Sequence, residues 1–454
     1  MRVNGQCLSS DDSSVGKGLL MGIDLGSTFF KVGVFDDALR EAGRGRAPVV
    51  YGDTGAGPSA VMPVADAETA LRDAVHAALT DAGCAAADIR AVAVTSQAQT
   101  FAVRAPDGHP KTPFISWRDT HCDAAPLVSA LPAFGMHCSV AEGLPSLTVT
   151  KLAAMRSDGR AETEDLVLWL PAWFVMRLTG RAAVDPNLAA MSGLYSLRAD
   201  SWWPAALDLC GIASRNLPRL IPLGGTAGLT TEAADWCGLP SGIPVTLAGN
   251  DQTAAAYGAG LHESESLLIS LGTAQVAYVV RPELTDPVPG LMRGPYPGGR
   301  AYRLGADTCG AGTIHWARGM LPGCAGEAAF ERAVLSAPPG CHGVRFVADG
   351  PNGTGHWTGT EASGATVADR ARAVVETLVE RLGDLLDRLG ADDRQRQKIL
   401  LCGGGAESGA WRGILRDRLH LRLTHVRNVS PSLGAARMAR DCLISERKFV
   451  YAHV

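Results

Sequence analysis

Residues 22–37 read GIDLGSTFFKVGVFDD, and this stretch decides the fold. Two apolar runs, Leu19–Asp24 and Phe29–Phe35, are predicted to be strands joined by a tight polar turn at residues 26–28. A bend made of glycine and two hydroxyl residues turns several backbone N–H groups outward, and such a concavity binds phosphate oxygens. An ordinary hairpin turn with a polar tip is the alternative interpretation.

The first of these strands ends in a carboxylate, Asp24. A carboxylate repels phosphate unless a cation lies between them, and Mg²⁺ takes carboxylate, water and phosphate oxygens as ligands. We therefore expect Asp24 to hold Mg²⁺ beside the phosphate-binding bend.

Helices and strands alternate after this opening. The apolar periodicity predicts helices over Asp66–Ala82 and Val367–Leu389, and an apolar run predicts a strand over Ile89–Thr95. Strand followed by helix indicates the α/β class. Tryptophans concentrate in the middle of the chain and are interpreted either as core anchors, which we favour, or as one wall of a ligand cleft: Trp169, Trp173, Trp202, Trp203 and Trp236.

The second half of the chain repeats the opening pattern. Residues 267–280 read LLISLGTAQVAYVV, again two apolar runs around a Gly-Thr bend. Gly272 follows Gly26 by about half the chain, which suggests two domains of the same construction. Two such bends could grip the phosphates of one nucleotide from opposite sides.

Two further strand ends carry candidate sites. Asp251 follows an apolar strand at the mouth of an Ala-rich helix, where it could deprotonate a substrate hydroxyl or simply cap the helix. The glycine run in LLCGGGAESGAW, residues 400–411, leaves bare backbone on which an adenine and ribose could lie. A tight strand–helix turn is the alternative there.

Composition and charge set limits on partners. The 454 residues carry a net charge of -4, with 46% hydrophobic and 19% charged residues, which is typical of a soluble globular protein. We expect neither nucleic acid nor a membrane as a partner, because there is no basic run and no apolar run of about 18 residues. Eleven scattered cysteines without a C-x-x-C pair indicate reduced, buried thiols and a cytoplasmic protein.

Together these motifs resemble the FGGY family of carbohydrate kinases, which belongs to the superfamily of actin, Hsp70 and hexokinase. The resemblance runs from about Leu19 to Ala439. It includes both phosphate bends, the segments 95–121 and 172–202, the AGNDQTAAAYGAG segment, the CGGGAESGAW segment and the closing helix at 430–439. It implies two RNase H-like, actin-like ATPase domains with a cleft between them.

The resemblance also implies roles for individual residues. Asp251 would be the catalytic base. Asp24 would organise Mg²⁺. The ATP-binding residues would be Asp24, Gly26, Ser27, Thr28, Lys31, Gly272, Thr273, Gly404, Gly405 and Ser408. The sugar side would hold Gln97, Gln99, Trp117, Asp119 and Gln252. The sequence departs from the family pattern at Ala154 and His121, and both departures fall on the sugar side.

The resemblance predicts an enzyme that uses ATP and Mg²⁺ to phosphorylate a hydroxyl of a small sugar, a xylulose-like ketose or a related polyol or cyclitol. The alternative is a sugar- or ATP-sensing regulator of the same fold with weak or no turnover. The expected partners are that small molecule and, as one option, a second copy of the chain. The predicted organisation is a disordered tail, an N-terminal domain with the sugar side, a C-terminal domain with the base and adenosine motif, and a C-terminal tail: 1–18, 19–248, 249–441 and 442–454.

Overall fold

The structure is a computed structural model that describes residues 18–52, 60–262, 266–349, 353–359, 364–391 and 398–451. The predicted tail at 1–18 therefore lies, apart from Gly18, outside the described residues. The strands are Leu19–Leu25 (β1), Phe29–Phe35 (β2), Glu41–Pro48 (β3), Val61–Met62 (β4), Ile89–Ser96 (β5), Phe101–Arg104 (β6), Phe114–Ile115 (β7), Leu166–Trp169 (β8), Ala183–Val184 (β9), Tyr195–Ser196 (β10), Ser201–Trp202 (β11), Arg219–Leu220 (β12), Thr226–Leu229 (β13), Pro244–Asn250 (β14), Leu267–Leu271 (β15), Gln275–Arg281 (β16), Met292–Tyr296 (β17), Arg300–Asp307 (β18), Arg345–Ala348 (β19), Gly355–Thr358 (β20), Ile399–Cys402 (β21) and Leu423–His425 (β22). The α-helices are Val64–Ala82 (α1), Ala125–Ala130 (α2), Phe134–His137 (α3), Thr148–Ser157 (α4), Leu170–Thr179 (α5), Pro186–Ala190 (α6), Pro204–Cys210 (α7), Asp251–Gly258 (α8), Ala311–Met320 (α9), Glu327–Ser336 (α10), Val367–Arg388 (α11), Gly409–Leu419 (α12) and Pro431–Tyr451 (α13).

The opening stretch forms the middle of a six-stranded sheet with the order β13-β14-β5-β1-β2-β3. Strand β1 pairs antiparallel with β2, where Ile23 faces Val32, and parallel with β5, where Asp24 faces Thr95. The predicted pair of strands around a bend is therefore confirmed. Because β1 and β5 run parallel, their carboxyl ends meet at one edge, and Asp24 lies at that edge.

A second sheet repeats this construction, in the order β17-β18-β16-β15-β21-β22. Its central strand β15 pairs antiparallel with β16 and parallel with β21, as β1 pairs with β2 and β5. The internal repeat predicted from the two Gly-hydroxyl bends is confirmed at the level of strand order. Two such sheets, each with helices packed against it, make the actin-like architecture that the sequence predicts.

The helices follow the apolar periodicity. Helix α1 begins two residues before the predicted start, after Pro63, and ends at Gly83, whose left-handed backbone (φ 61°) caps it. Helix α11 begins at a capping box in which Thr366 and Asp369 satisfy each other's backbone N–H groups. The Trp169, Trp173 and Trp203 side chains are buried, so the core interpretation of the tryptophan cluster holds for these three.

The last helix returns to the first sheet. Ala435, Ala436 and Ala439 of α13 pack in one buried cluster with Leu20 of β1 and Ala93 of β5. This helix continues to Tyr451, so the closing helix predicted at 430–439 is too short, and the predicted separate tail from 442 is helical as far as it is described. The exact domain boundaries stay a prediction. None of the described helices combines the length and apolar character that a membrane crossing requires.

Candidate active site

The first bend, between β1 and β2, requires a glycine at residue 26. A Cβ on Gly26 would lie 2.8 Å from the Phe29 carbonyl oxygen, so the turn requires glycine. The Gln97 side-chain amide donates a hydrogen bond to the Gly26 carbonyl (3.2 Å), which holds the bend against the loop after β5. On this bend Ser27 is half-buried and Thr28 is exposed.

Asp24 lies below this bend as a buried carboxylate that lacks a full set of partners. Its Oδ2 lies 3.7 Å from Lys31 Nζ, and its buried Oδ1 has no hydrogen-bond partner among the described residues. Burial, together with the charge of Asp251, raises the pKa of Asp24 to about 7, against an opposing effect of Lys31. An unsatisfied carboxylate oxygen beside a second carboxylate is a fitting donor for a hard divalent cation.

Asp251 is the first residue of helix α8, and it does not cap that helix. The cap is Asn250, whose side-chain oxygen accepts the Thr253 N–H bond (2.9 Å), so the helix-cap interpretation of Asp251 is wrong. One carboxylate oxygen of Asp251 accepts a hydrogen bond from the Gln252 N–H group (2.8 Å). Desolvation raises the pKa of Asp251 to about 6, which is close to the value that suits a general base near neutral pH.

A buried amide that the sequence motifs did not indicate holds the segment in front of Asp251. Asn187, at the start of α6, accepts hydrogen bonds from both the backbone N–H (2.9 Å) and the side-chain amide (2.8 Å) of Asn250. Its own amide donates to Thr253 Oγ1 (3.0 Å) and to the Pro295 carbonyl (2.8 Å). Asn187 thereby joins the strand before Asp251, the helix after it and the second sheet.

Asp185 supports the same segment from two residues away. Its carboxylate accepts hydrogen bonds from the Gly249 N–H (3.1 Å) and the Leu188 N–H (3.0 Å) groups. Burial raises the pKa of Asp185 to about 6, while these backbone donors act in the opposite direction. The available signal was a pair of polar residues, Asp185 and Asn187, inside the otherwise apolar stretch AAVDPNLAAM.

The second bend lies between β15 and β16, with Gly272 half-buried and Thr273 exposed. Its carbonyl groups are taken up by the start of helix α9: the Ala311 N–H donates to the Gly272 carbonyl (2.8 Å), and the Gly312 N–H donates to the Thr273 carbonyl (3.2 Å). The first turn of α9 therefore anchors this bend, a support that sequence motifs alone did not indicate.

A cleft of about 410 Å³ in the second half of the chain contains the predicted adenosine seat. Gly404, Gly405 and Ser408 all line it, next to Ala311 and Trp411. The glycine run is a short 3-10 helix rather than a plain turn, and Ser408 caps helix α12 by accepting the Trp411 N–H bond (3.2 Å). Its hydroxyl oxygen is therefore engaged in the fold.

A second cleft of about 360 Å³ contains most of the predicted sugar side and the predicted base. Gln97, Gln99, Trp117 and Gln252 line it together with Ser27 and Asp251. The structure thus brings one residue of the first bend, the predicted base and four of the five predicted sugar residues to a single concave surface.

Asp119 is the exception. It is buried, its carboxylate pairs with the His121 ring, and it is absent from the described lining of this cleft. Its neighbour Lys151 is also buried and donates a hydrogen bond to the Ser116 carbonyl (2.6 Å). Asp119 follows Trp117 by two positions in the chain, so its buried side chain is placed to support the cleft wall.

The family model of the FGGY family of carbohydrate kinases, N-terminal domain, matches residues 19–258, more than half of the chain. The chain belongs to the FGGY family of carbohydrate kinases. This FGGY protein is 27% identical to the xylulose kinase of Escherichia coli K12 over 80% of the chain and 78% of that relative. It is also 27% identical to the L-fuculokinase of Salmonella typhi, over 64% of the chain and 63% of that relative, just under two thirds of its length.

The crystal structure of the xylulose kinase from Rhodospirillum rubrum superposes on this FGGY chain with a TM-score of 0.82. It is 23% identical, and the superposition covers 93% of this chain and 89% of that one. At this identity the likeness establishes the fold. Family membership identifies the protein as a carbohydrate kinase, a phosphotransferase, and ATP is the phosphate donor of the family.

Proposed function

We propose that this FGGY kinase transfers the γ-phosphoryl group of ATP to a hydroxyl of a small sugar, a ketose or a related polyol or cyclitol. The observation that carries the proposal is the carboxylate of Asp251. Asn250 caps helix α8, so the Asp251 carboxylate is not used as the cap. Burial raises the pKa of Asp251 to about 6, and the carboxylate lies in the cleft that four predicted sugar residues line. The relatives named for xylulose and L-fuculose support a ketose as the acceptor.

In this mechanism Asp251 accepts the proton of the substrate hydroxyl as that oxygen forms a bond to the γ-phosphorus. The bond between the γ-phosphorus and the bridging oxygen of ADP breaks, and ADP leaves with the electron pair. The backbone N–H groups of the bends at Gly26 and Gly272 are proposed to stabilise the charge on the phosphate oxygens. A base with a pKa near 6 is deprotonated at neutral pH and still basic enough to assist.

Asp24 is proposed as the protein ligand of Mg²⁺. Its unsatisfied buried Oδ1 and its raised pKa fit a group whose partner is a cation supplied with the nucleotide. Bound Mg²⁺ would neutralise charge on the transferring phosphate. Before the nucleotide binds, the positive charge of Lys31, which contacts Asp24, would partly balance the negative charge of the Asp24 carboxylate.

Two lobes of the same strand order support the proposal that both bends grip one triphosphate. Each bend follows the central strand of its own sheet, β1 or β15, so the two occupy equivalent positions in the repeat. Closure of the lobes over ATP and sugar would exclude water and limit hydrolysis of ATP.

The Asp251→Ala variant tests the base. We expect ATP binding to persist and turnover to fall by roughly 10²–10⁴-fold, the contribution of a positioned acid–base group. Asp66→Ala, which changes an exposed aspartate of helix α1, is the matched control and should keep wild-type turnover. ADP release is measured with a panel of ketoses, alditols and cyclitols. Near-normal turnover of Asp251→Ala would remove Asp251 from the mechanism.

The same assay addresses the alternative of a sugar-sensing regulator. If the wild-type protein binds ATP and a sugar yet releases no ADP with any member of the panel, the regulator is favoured. A homodimer and a cytoplasmic location stay predictions of the sequence.

A further inference from the structure

Three carboxylates contribute to the described lining of the 410 Å³ cleft: those of Glu327, Glu331 and Glu407. Two of them have a cation beside them. The carboxylate of Glu327 lies 3.4 Å from the Arg318 guanidinium, and that of Glu407 lies 3.5 Å from the Arg427 guanidinium. Glu331 makes no ion pair with a described residue, so its charge faces the cleft without a cationic partner from this part of the chain.

The two carboxylate oxygens of Glu331 have different surroundings. Oε1 accepts hydrogen bonds from the Ala410 N–H group (2.8 Å) and from the Ser408 hydroxyl group (3.3 Å), which joins helix α10 to the start of helix α12. Oε2 makes no hydrogen bond to any residue that the structure describes. Because Glu331 is half-buried and lines the cleft, Oε2 is the oxygen that remains for a ligand.

The walls near Glu331 suit a flat aromatic ring. Ile314, Phe330 and Val334 are apolar and contribute to the lining, and Gly404 leaves open space where a Cβ would lie. Ligand sites typically combine such apolar walls with a few polar groups that fix the orientation of the ligand. A polar group on the ring loses water on entering the cleft, so it needs a hydrogen-bond partner there.

The chemistry of a carboxylate decides which purine fits this partner. An ionised carboxylate accepts hydrogen bonds and cannot donate one. Adenine carries an amino group at position 6, and one free acceptor oxygen satisfies it. Guanine and hypoxanthine carry an oxygen at that position, which a carboxylate would repel. The adjacent N–H groups of guanine together need two acceptors, whereas Oε1 of Glu331 already accepts two bonds.

We propose that Glu331 is a specificity-determining residue for the nucleotide. Its Oε2 accepts a hydrogen bond from the 6-amino group of adenine and thereby selects against 6-oxopurines. This inference rests on the proposed function for the position of ATP in the cleft. It adds a residue of helix α10, outside the glycine motifs, that distinguishes one purine from another.

Nucleotide binding to the full-length protein tests the selection. ADP, IDP and GDP are compared by calorimetry with Mg²⁺ and without a sugar. We expect ADP to bind at least about tenfold more tightly than IDP or GDP, the range for a hydrogen bond to a charged group. Equal binding of ADP and IDP by the wild type overturns the inference, and this comparison requires no variant to fold.

The Glu331→Gln variant locates the selection. Its amide oxygen can still accept the Ala410 N–H bond, so its NH2 group takes the place of Oε2 and donates to a 6-oxo group instead of accepting from a 6-amino group. The ratio of ADP to IDP affinity should therefore fall by at least about tenfold.

Glu327→Gln is the matched control. It removes the same charge from the same helix and the same cleft, but the Glu327 side chain is 90% exposed, so the affinity ratio should stay at the wild-type value. A wild-type ratio in Glu331→Gln, or an equal fall of the ratio in both variants, overturns the role of Glu331.

The absence of sugar separates this inference from the proposed function. Preferential binding of ADP by a protein that releases no ADP with any sugar would overturn the transfer reaction and still support the selection by Glu331. Sugar-dependent ADP release together with equal affinities for ADP and IDP would support the transfer and overturn the selection.

Discussion

Asn187 makes a sharp prediction because its one buried side chain joins three parts of the site. In Asn187→Ala the Asn250 N–H loses its acceptor and the Pro295 carbonyl loses a donor. The Asn250 side-chain NH2 group keeps a contact to the Met191 sulfur at 3.4 Å, while Thr253 Oγ1 keeps the Tyr278 hydroxyl at 2.9 Å.

The magnitude follows from the groups left without partners. A buried donor or acceptor without a partner costs about 1–3 kcal/mol. Loss of the Asn250 N–H acceptor and the Pro295 donor therefore predicts a decrease of about 2–6 kcal/mol in the free energy of unfolding. Asp251 follows Asn250 directly, and a shift of about 1 Å in a reacting group costs on the order of 100-fold in rate. We expect kcat of Asn187→Ala to fall by about 10–100-fold.

The assay combines urea unfolding with steady-state kinetics. KM for ATP should change little, because the cleft around Gly404 contains no atom of Asn187 in its described lining. Asn216→Ala is the matched control: Asn216 is also buried, but its side chain accepts one hydrogen bond, from the Ala213 N–H (2.9 Å). It should lose about 1 kcal/mol of stability and keep wild-type kcat. Equal kcat in Asn187→Ala and wild type would refute this reasoning.

Further predictions concern the glycine run and two buried charges. A Cβ on Gly405 would lie 2.4 Å from the Trp411 ring, whereas Gly404 has open space. Gly405→Ala should therefore lower the unfolding free energy by about 1–3 kcal/mol. Gly404→Ala should weaken ATP binding in calorimetry without lowering the unfolding free energy. A loss of stability in Gly404→Ala with unchanged ATP binding would contradict the adenosine seat. The pKa of Asp24 is about 7 in the folded protein instead of 3.8, so between these values the folded protein holds a proton that the unfolded chain releases, and stability falls as the pH rises. Relative to Asp24→Asn, the wild type should lose about 2–4 kcal/mol of unfolding free energy between pH 4 and 7 in urea titrations. Parallel curves for the two proteins would show that Asp24 titrates normally. Burial lowers the pKa of Lys151 from 10.5 to about 8, so the cost of burying its charged ammonium group lowers stability below pH 8 and is relieved as the pH rises to 10.5. The stability of the wild type relative to Lys151→Met should increase across that interval. A constant difference between the two proteins would contradict the lowered pKa.

The fold could be predicted from the sequence because the decisive patterns are local. The bend at residues 26–28 lies between two runs whose apolar character fixes them as buried strands, and the repeat at 267–280 gives the second lobe. Helices α1 and α11 follow an apolar periodicity with clear end signals. Their bounds differ from the prediction by one or two residues only.

The sequence indicated which residues lie together where a motif marks them, and it did so less well where support comes from distant residues. Asp251 and Gln99 stand in recognisable segments and line the same cleft, and their roles stay predictions. Asn187 was missed because its partners, Asn250 and Pro295, are 63 and 108 residues away. Asp119 was placed on the sugar side by its motif, yet a pairing with His121 that no spacing rule foretells keeps it buried.

Helix α13 gives the chain an unusual order of assembly. Strand β1, which carries Asp24, leaves the ribosome long before residues 431–439, which cover one face of its sheet. The first lobe of a nascent chain therefore keeps an uncovered apolar face until residues 431–439 have been synthesised. A premature stop shortly before residue 431 would release a protein that contains every proposed catalytic group but lacks the helix that covers one face of the first sheet.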